Sequence, residues 1–101
     1  MSPTELESAI VRHLTAYDVS YTTGSHGPEI PGVLVTIHGA VDGHPMRTDF
    51  HGLGGVDDGS YLVLMFDLRT RNEIGKGASP ESFDDALANV DWPNVLGALT
   101  H

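Results

Sequence analysis

Residues 32–53 read GVLVTIHGAVDGHPMRTDFHGL, two runs rich in β-branched and apolar residues joined by Asp42-Gly43. Asp-Gly between such runs is a strong short-range sign of a two-residue hairpin turn, because both central residues of the favoured turn need positive φ and these two tolerate it. The stretch therefore predicts two antiparallel strands, 32–41 and 44–53. So short a turn also sets the register. Ile37 then faces Thr48 and Val35 faces Phe50 on one side, while His38 faces Arg47, Thr36 faces Asp49 and Leu34 faces His51 on the other. The first set is expected to line the core.

Downstream, SYLVLMFDL at 60–68 alternates like a further strand. Aligned so that Phe50 faces Leu64 and Arg47 meets Asp67 as an opposite-charge pair, it leaves residues 55–59 as a loop. Residues 18–23 read as a short strand before the hairpin and 24–32 as a loop. The polar, Gly-rich run RTRNEIGKGA at 69–78 reads as a connection with room for a short extra strand at its centre.

Helices are expected at both ends. Ser2-Pro3-Thr4-Glu5 has the form of a capping box, and Leu6, Ile10, His13, Leu14 and Tyr17 recur at spacings of three and four, so the first helix should run to about Ala16. Ser79-Pro80-Glu81-Ser82 repeats the Ser-Pro helix start ahead of the stripe Phe83, Ala86, Leu87 and Val90. Asp91 is placed as the N-cap of a last helix that turns Val95, Leu96 and Leu99 inward. The predicted fold is α+β: an N-terminal helix, a four-stranded antiparallel β-meander, and one or two C-terminal helices packed on one sheet face. A chain of 101 residues, 40% of them apolar, suits a single small domain over residues 1–101.

Five Lys and Arg against 14 Asp and Glu leave a net charge of −9, which disfavours direct contact with nucleic acid or an anionic membrane, since each phosphate contact needs a cation. No apolar run approaches the length of a membrane span and the start, MSPTELES, lacks the character of a signal peptide, so a cytoplasmic protein is expected. Without Cys there is no disulfide, thiolate nucleophile or cysteine-based zinc site.

The run GLGGVDDG at 52–59 is the one segment that looks like a ligand loop. It lacks the basic residue and following helix of a phosphate loop, and Asp57 and Asp58 would repel phosphate. It lacks the dinucleotide spacing and the alternating ligands of a calcium loop, so a turn between strands is expected. The order of a helix, strands and a helix entered through Ile74-Gly75-Lys76-Gly77 superficially resembles the double-stranded-RNA-binding domain. That family's second helix begins with a lysine-rich run that grips phosphate, where this chain has Glu81, Asp84 and Asp85, so no family membership follows.

Six histidines raise the question of a metal, but His38 and His51 fall ~13 Å apart along the hairpin, too far to share an ion. No cofactor and no metal site is predicted. Asp49 and His51 share a face and could orient a proton transfer, with no nucleophile identified beside them.

The more informative feature is that 61–66 is apolar on both faces. Two or three short helices cover one face of a small sheet, so the other is buried either by the chain, through the Ile74 segment or the 29–31 loop, or by a partner. The expected function is therefore a small acidic, non-catalytic protein-interaction role, accessory or inhibitory, of the kind a phage or other mobile element encodes. The partner would be another protein or a second copy in a homodimer, with Leu34, Leu53, Tyr61, Val63 and Met65 as apolar anchors and His38, Arg47 and Asp67 as the polar end. Two other readings stay open. One is an acidic mimic of nucleic acid that uses Asp57, Asp58, Glu81, Asp84, Asp85 and Asp91 to inhibit a DNA-binding protein; the other is a small enzyme built on Asp49 and His51.

Overall fold

The computed structural model describes residues 3–26, 34–52 and 61–100. Helix α1 (Pro3–Thr15) is followed by strands β1 (Tyr21–His26), β2 (Val35–Val41), β3 (His44–Gly52), β4 (Tyr61–Asp67) and β5 (Glu73–Ser79), then by helices α2 (Phe83–Ala88) and α3 (Trp92–Leu99). The strands form one antiparallel sheet in the order β1-β2-β3-β4-β5. The fold is thus α+β with an N-terminal helix and C-terminal helices, on five strands rather than the expected four.

The central hairpin has the expected register, with Val35 opposite Phe50, Ile37 opposite Thr48 and His38 opposite Arg47. Its turn residues Asp42 and Gly43 adopt φ of 48° and 83°, the left-handed values that this pair tolerates. Asp42 also ties the turn to the entry of β1. Its Oδ1 accepts from the Ser20 backbone N–H and hydroxyl, both at 2.9 Å, and the Ser20 N–H above all holds its carboxyl below the ordinary range. Strand β1 lies further along the chain than 18–23 and carries an irregularity between Thr23 and His26.

The expected alignment of β4 is wrong by one residue. Phe50 pairs with Val63 and Arg47 with Phe66, so every side chain of β4 changes face. Tyr61, Val63, Met65 and Asp67 point toward the helices, and Leu62, Leu64 and Phe66 point away. One exposed ion pair contributes well under what the aromatic cluster under α2 supplies. In that cluster the Phe83 ring meets Phe50 edge-on at 5.3 Å and Tyr61 at 5.0 Å, which requires Phe50 and Tyr61 on one face.

Strand β5 is seven residues long and pairs with β4, where a polar, Gly-rich connection with room for only a short extra strand is expected from the sequence. Its glycines explain why the strand is longer than the residues suggest. A Cβ on Gly77 would collide with the Ala86 carbonyl oxygen, and one on Gly75 would stand 2.5 Å from Val95 Cγ2, so their absence is what lets α2 and α3 close onto the strand. Residues that look unsuited to a strand are therefore required where two helices press on it.

The core lies between the sheet and the three helices. α1 contributes Leu6, Ala9, Ile10 and Leu14; α2 and its C-terminal flank contribute Phe83, Ala86, Leu87 and Val90; α3 contributes Trp92, Val95 and Leu99. They meet Ile37, Val41, Met46, Phe50, Val63, Met65 and Ile74 of the sheet. His13 stacks on Trp92 at 6.0 Å, whereas Tyr17 of the expected apolar stripe is exposed.

The N-cap of α2 is Ser82, whose hydroxyl accepts from the Asp85 N–H at 3.1 Å, rather than Ser79, which closes β5 and accepts from the Glu81 N–H. Asp91 caps α3 as expected, accepting from the Asn94 N–H at 3.2 Å. The proposed cap at Ser2 lies outside the described residues.

Candidate functional site

Among the described residues, all three helices pack on one side of the sheet, and the opposite face carries no helix. Strand alternation and the ladder register place on that face His38 and Thr36 of β2, Arg47, Asp49 and His51 of β3, Leu62, Leu64 and Phe66 of β4, and Lys76 of β5. Leu34, just before β2, is 66% exposed, the most exposed large apolar side chain described.

At the centre of the face is a linked polar group. Thr36 Oγ1 donates to Asp49 Oδ1 at 3.1 Å, and Arg47 Nε stands 3.2 Å from the same oxygen. The Arg47 guanidinium carbon also lies 4.4 Å from the centroid of the Phe66 ring, a cation–π arrangement. Asp49 and Thr36 are both buried, on a face that no described helix covers. The face is therefore a half-buried apolar row along β4 next to a pinned Arg47–Asp49–Thr36 cluster.

Of the predicted anchors, Leu34 lies on this face while Leu53 lies outside the described residues. Tyr61, Val63 and Met65 belong to the helix-covered side, Val63 and Met65 with no exposure at all. Leu62, Leu64 and Phe66 take their place, through the one-residue difference in register. His38 and Arg47 sit side by side on the open face, but Asp67 does not join them. Its carboxylate is buried against the β4–β5 turn, where Oδ1 accepts from the Arg69 N–H at 2.8 Å and Oδ2 lies 3.4 Å from the Arg69 guanidinium. The Arg69 backbone N–H is the main cause that holds the Asp67 carboxyl below its ordinary range, with the guanidinium aiding and burial opposing. Ile74, one candidate cover for the open face, is instead part of the core.

The acidic candidates are dispersed. Asp57 and Asp58 lie outside the described residues, as does the 52–59 turn apart from Gly52. Asp84 is bound by Arg12 at 3.0 Å and by His13 at 3.3 Å, and Asp91 is occupied as a cap. Glu81 and Asp85 are exposed. Asp49 and His51 do share a face, yet the Asp49 oxygen nearest Thr36 is already engaged by a hydroxyl and a guanidinium. Among the described residues no group of three or more His, Asp or Glu could hold a metal ion, and no helix is long and apolar enough to cross a membrane. Compared with family models, curated proteins and solved structures, the chain matches none of them.

Proposed function

We propose that this chain is a small protein-interaction module, non-catalytic and accessory or inhibitory in role, which works through the open sheet face by pairing with a second copy of itself. The observation that carries this reading is the row Leu62, Leu64 and Phe66 on a face that no described helix covers, with Leu34 exposed beside it. Charge selects the occupant. In a chain of net charge −9, this face holds two of the five Lys and Arg residues, Arg47 and Lys76, against Asp49 and the ladder partner of Phe66, Glu73. It is a nearly balanced patch on an acidic molecule, where like copies approach with little repulsion.

Size sets the strength. Five strands spaced about 4.8 Å apart and seven residues long at about 3.4 Å per residue span roughly 24 × 24 Å. Two such faces bury ~1,200 Å², just above the roughly 1,000 Å² that a specific interface needs, so a weak dimer is expected.

Light scattering across a concentration series, at low and high salt, tests the reading. The wild type should dimerise with little salt dependence, and Leu64→Asp should be a folded monomer, whereas Met65→Asp, at a fully buried position, should unfold. A wild-type chain that remains monomeric at about 1 mM refutes the proposal.

A further inference from the structure

Strand β5 is an edge of the sheet, and an edge strand offers unpaired main-chain groups to any other strand. Two of its carbonyls are already taken by side chains. Asn89, the C-cap of α2, donates through Nδ2 to the Ala78 oxygen at 2.8 Å, and Asn94, in the first turn of α3, donates through Nδ2 to the Ile74 oxygen at 3.1 Å. Ala78 and Lys76 lie in the regular part of the β4–β5 ladder, while Ile74 is the extra residue at the register shift between Gly75 and Glu73, so the two amides hold one carbonyl on either side of Lys76. Lys76, the residue between them, is charged and exposed, another feature that discourages strand addition.

We infer that Asn89 and Asn94 act as a pair of guards that close the β5 edge, so that association of this chain is directed to the sheet face and away from strand-to-strand growth. The guards depend on Gly75 and Gly77. Only because those residues lack Cβ do α2 and α3 come close enough for a short amide to reach the strand. Asn suits both places for a second reason, since it also fits the end of a helix and the polar positions of a first turn.

The test keeps edge and face apart by working in a Leu64→Asp background, which removes the proposed face contact. There, Asn89→Ala with Asn94→Ala should raise the apparent association constant by roughly tenfold or more, as uncovered carbonyls find strand partners. The chain has no Cys, so Lys76→Cys supplies a unique probe. An antiparallel β5–β5 pairing centred there puts the two Cα atoms about 4.5–5.5 Å apart, within disulfide range. Oxidation should link the double-alanine variant into dimers and leave the Asn-containing parent unlinked. If the double variant does not fold, the two single variants decide, each opening half of the edge and each expected to show partial linking. Folded variants that keep the parent's mass and link no faster overturn the inference, whatever the outcome at the sheet face.

Discussion

Replacing Gly77 by Ala adds a single methyl group to an edge strand, a change that costs little where there is room. Here the new Cβ would overlap the Ala86 carbonyl oxygen and stand 2.8 Å from Val90 Cγ2. Val90 can change rotamer, but the carbonyl belongs to the backbone of α2, so the helix must move off the sheet. Overpacking of that kind costs about 1–3 kcal/mol, and a backbone obstacle places this case near the top of the range. The loss of glycine freedom in the unfolded chain returns roughly 0.4–1 kcal/mol, leaving a net loss of about 2 kcal/mol. At about 4–8 °C per kcal/mol for a domain near this size, the midpoint of thermal unfolding should fall by roughly 8–16 °C. The control is Gly97→Ala. Gly97 lies in α3 with nothing within 4 Å of where a Cβ would stand, so the substitution should stabilise by about 1 kcal/mol through helix propensity alone. Both can be read by urea unfolding through the fluorescence of the chain's single tryptophan, Trp92, which is buried in the folded state. Gly77→Ala within about 0.5 kcal/mol of wild type, or two glycines that respond alike, would refute the close-packing account of β5.

Three further outcomes are expected. Burial, with Glu7 adding to it, pushes the Tyr21 hydroxyl up to about 12, and that hydroxyl has no hydrogen-bond partner among the described residues. Its folded value lies above its unfolded one, so the associated stability is intact below about pH 10 and is lost as pH rises toward 12; Tyr21→Phe should remove this alkaline slope in unfolding curves and match or exceed wild-type stability at pH 7. The Asp67 carboxyl is shifted the other way, so its contribution is intact above the ordinary carboxylate range near 4 and is lost as pH falls through the lower folded value; Asp67→Asn should flatten the acid limb of urea midpoints measured from pH 7 to pH 2. Asp91→Ala removes the acceptor for the Asn94 N–H and should cost about 1 kcal/mol by chemical unfolding, with Asp91→Asn close to neutral as the check that capping is the cause.

The parts of the fold that were readable from sequence are those decided locally. Asp42-Gly43 determines its own turn, and the β2–β3 register follows from it. Asp91 ahead of Trp92-Pro93 marks a helix start by cap chemistry alone. The pairing of β4 is different in kind, because the connection from β3 is long and both faces of YLVLMF are apolar, so neither local turn chemistry nor alternation distinguishes one register from its neighbour. The choice is made by Phe83, which has to fit between Phe50 and Tyr61. Strand β5 is legible only as room for a short strand, for a related reason. Glycines that weaken an isolated strand are the ones its helices need, and this is visible only once α2 and α3 are in place. The candidate site inherits the register: His38 and Arg47 face each other through the turn alone, whereas which row of β4 lies beside them depends on the β3–β4 pairing.

Arg69 does more than hold Asp67. Its Nη2 also donates to the Leu99 carbonyl at 2.8 Å, which fastens the last turn of α3 to the bend between β4 and β5 on the helix side of the sheet. Because the chain has no Cys, a fluorophore, biotin or resin linker carried on a Thr100→Cys substitution, at an exposed position next to that turn, would be attached on the far side of the molecule from Leu64 and Phe66. Surface immobilisation through that residue would leave the sheet face pointing into solution, so binding experiments could be oriented.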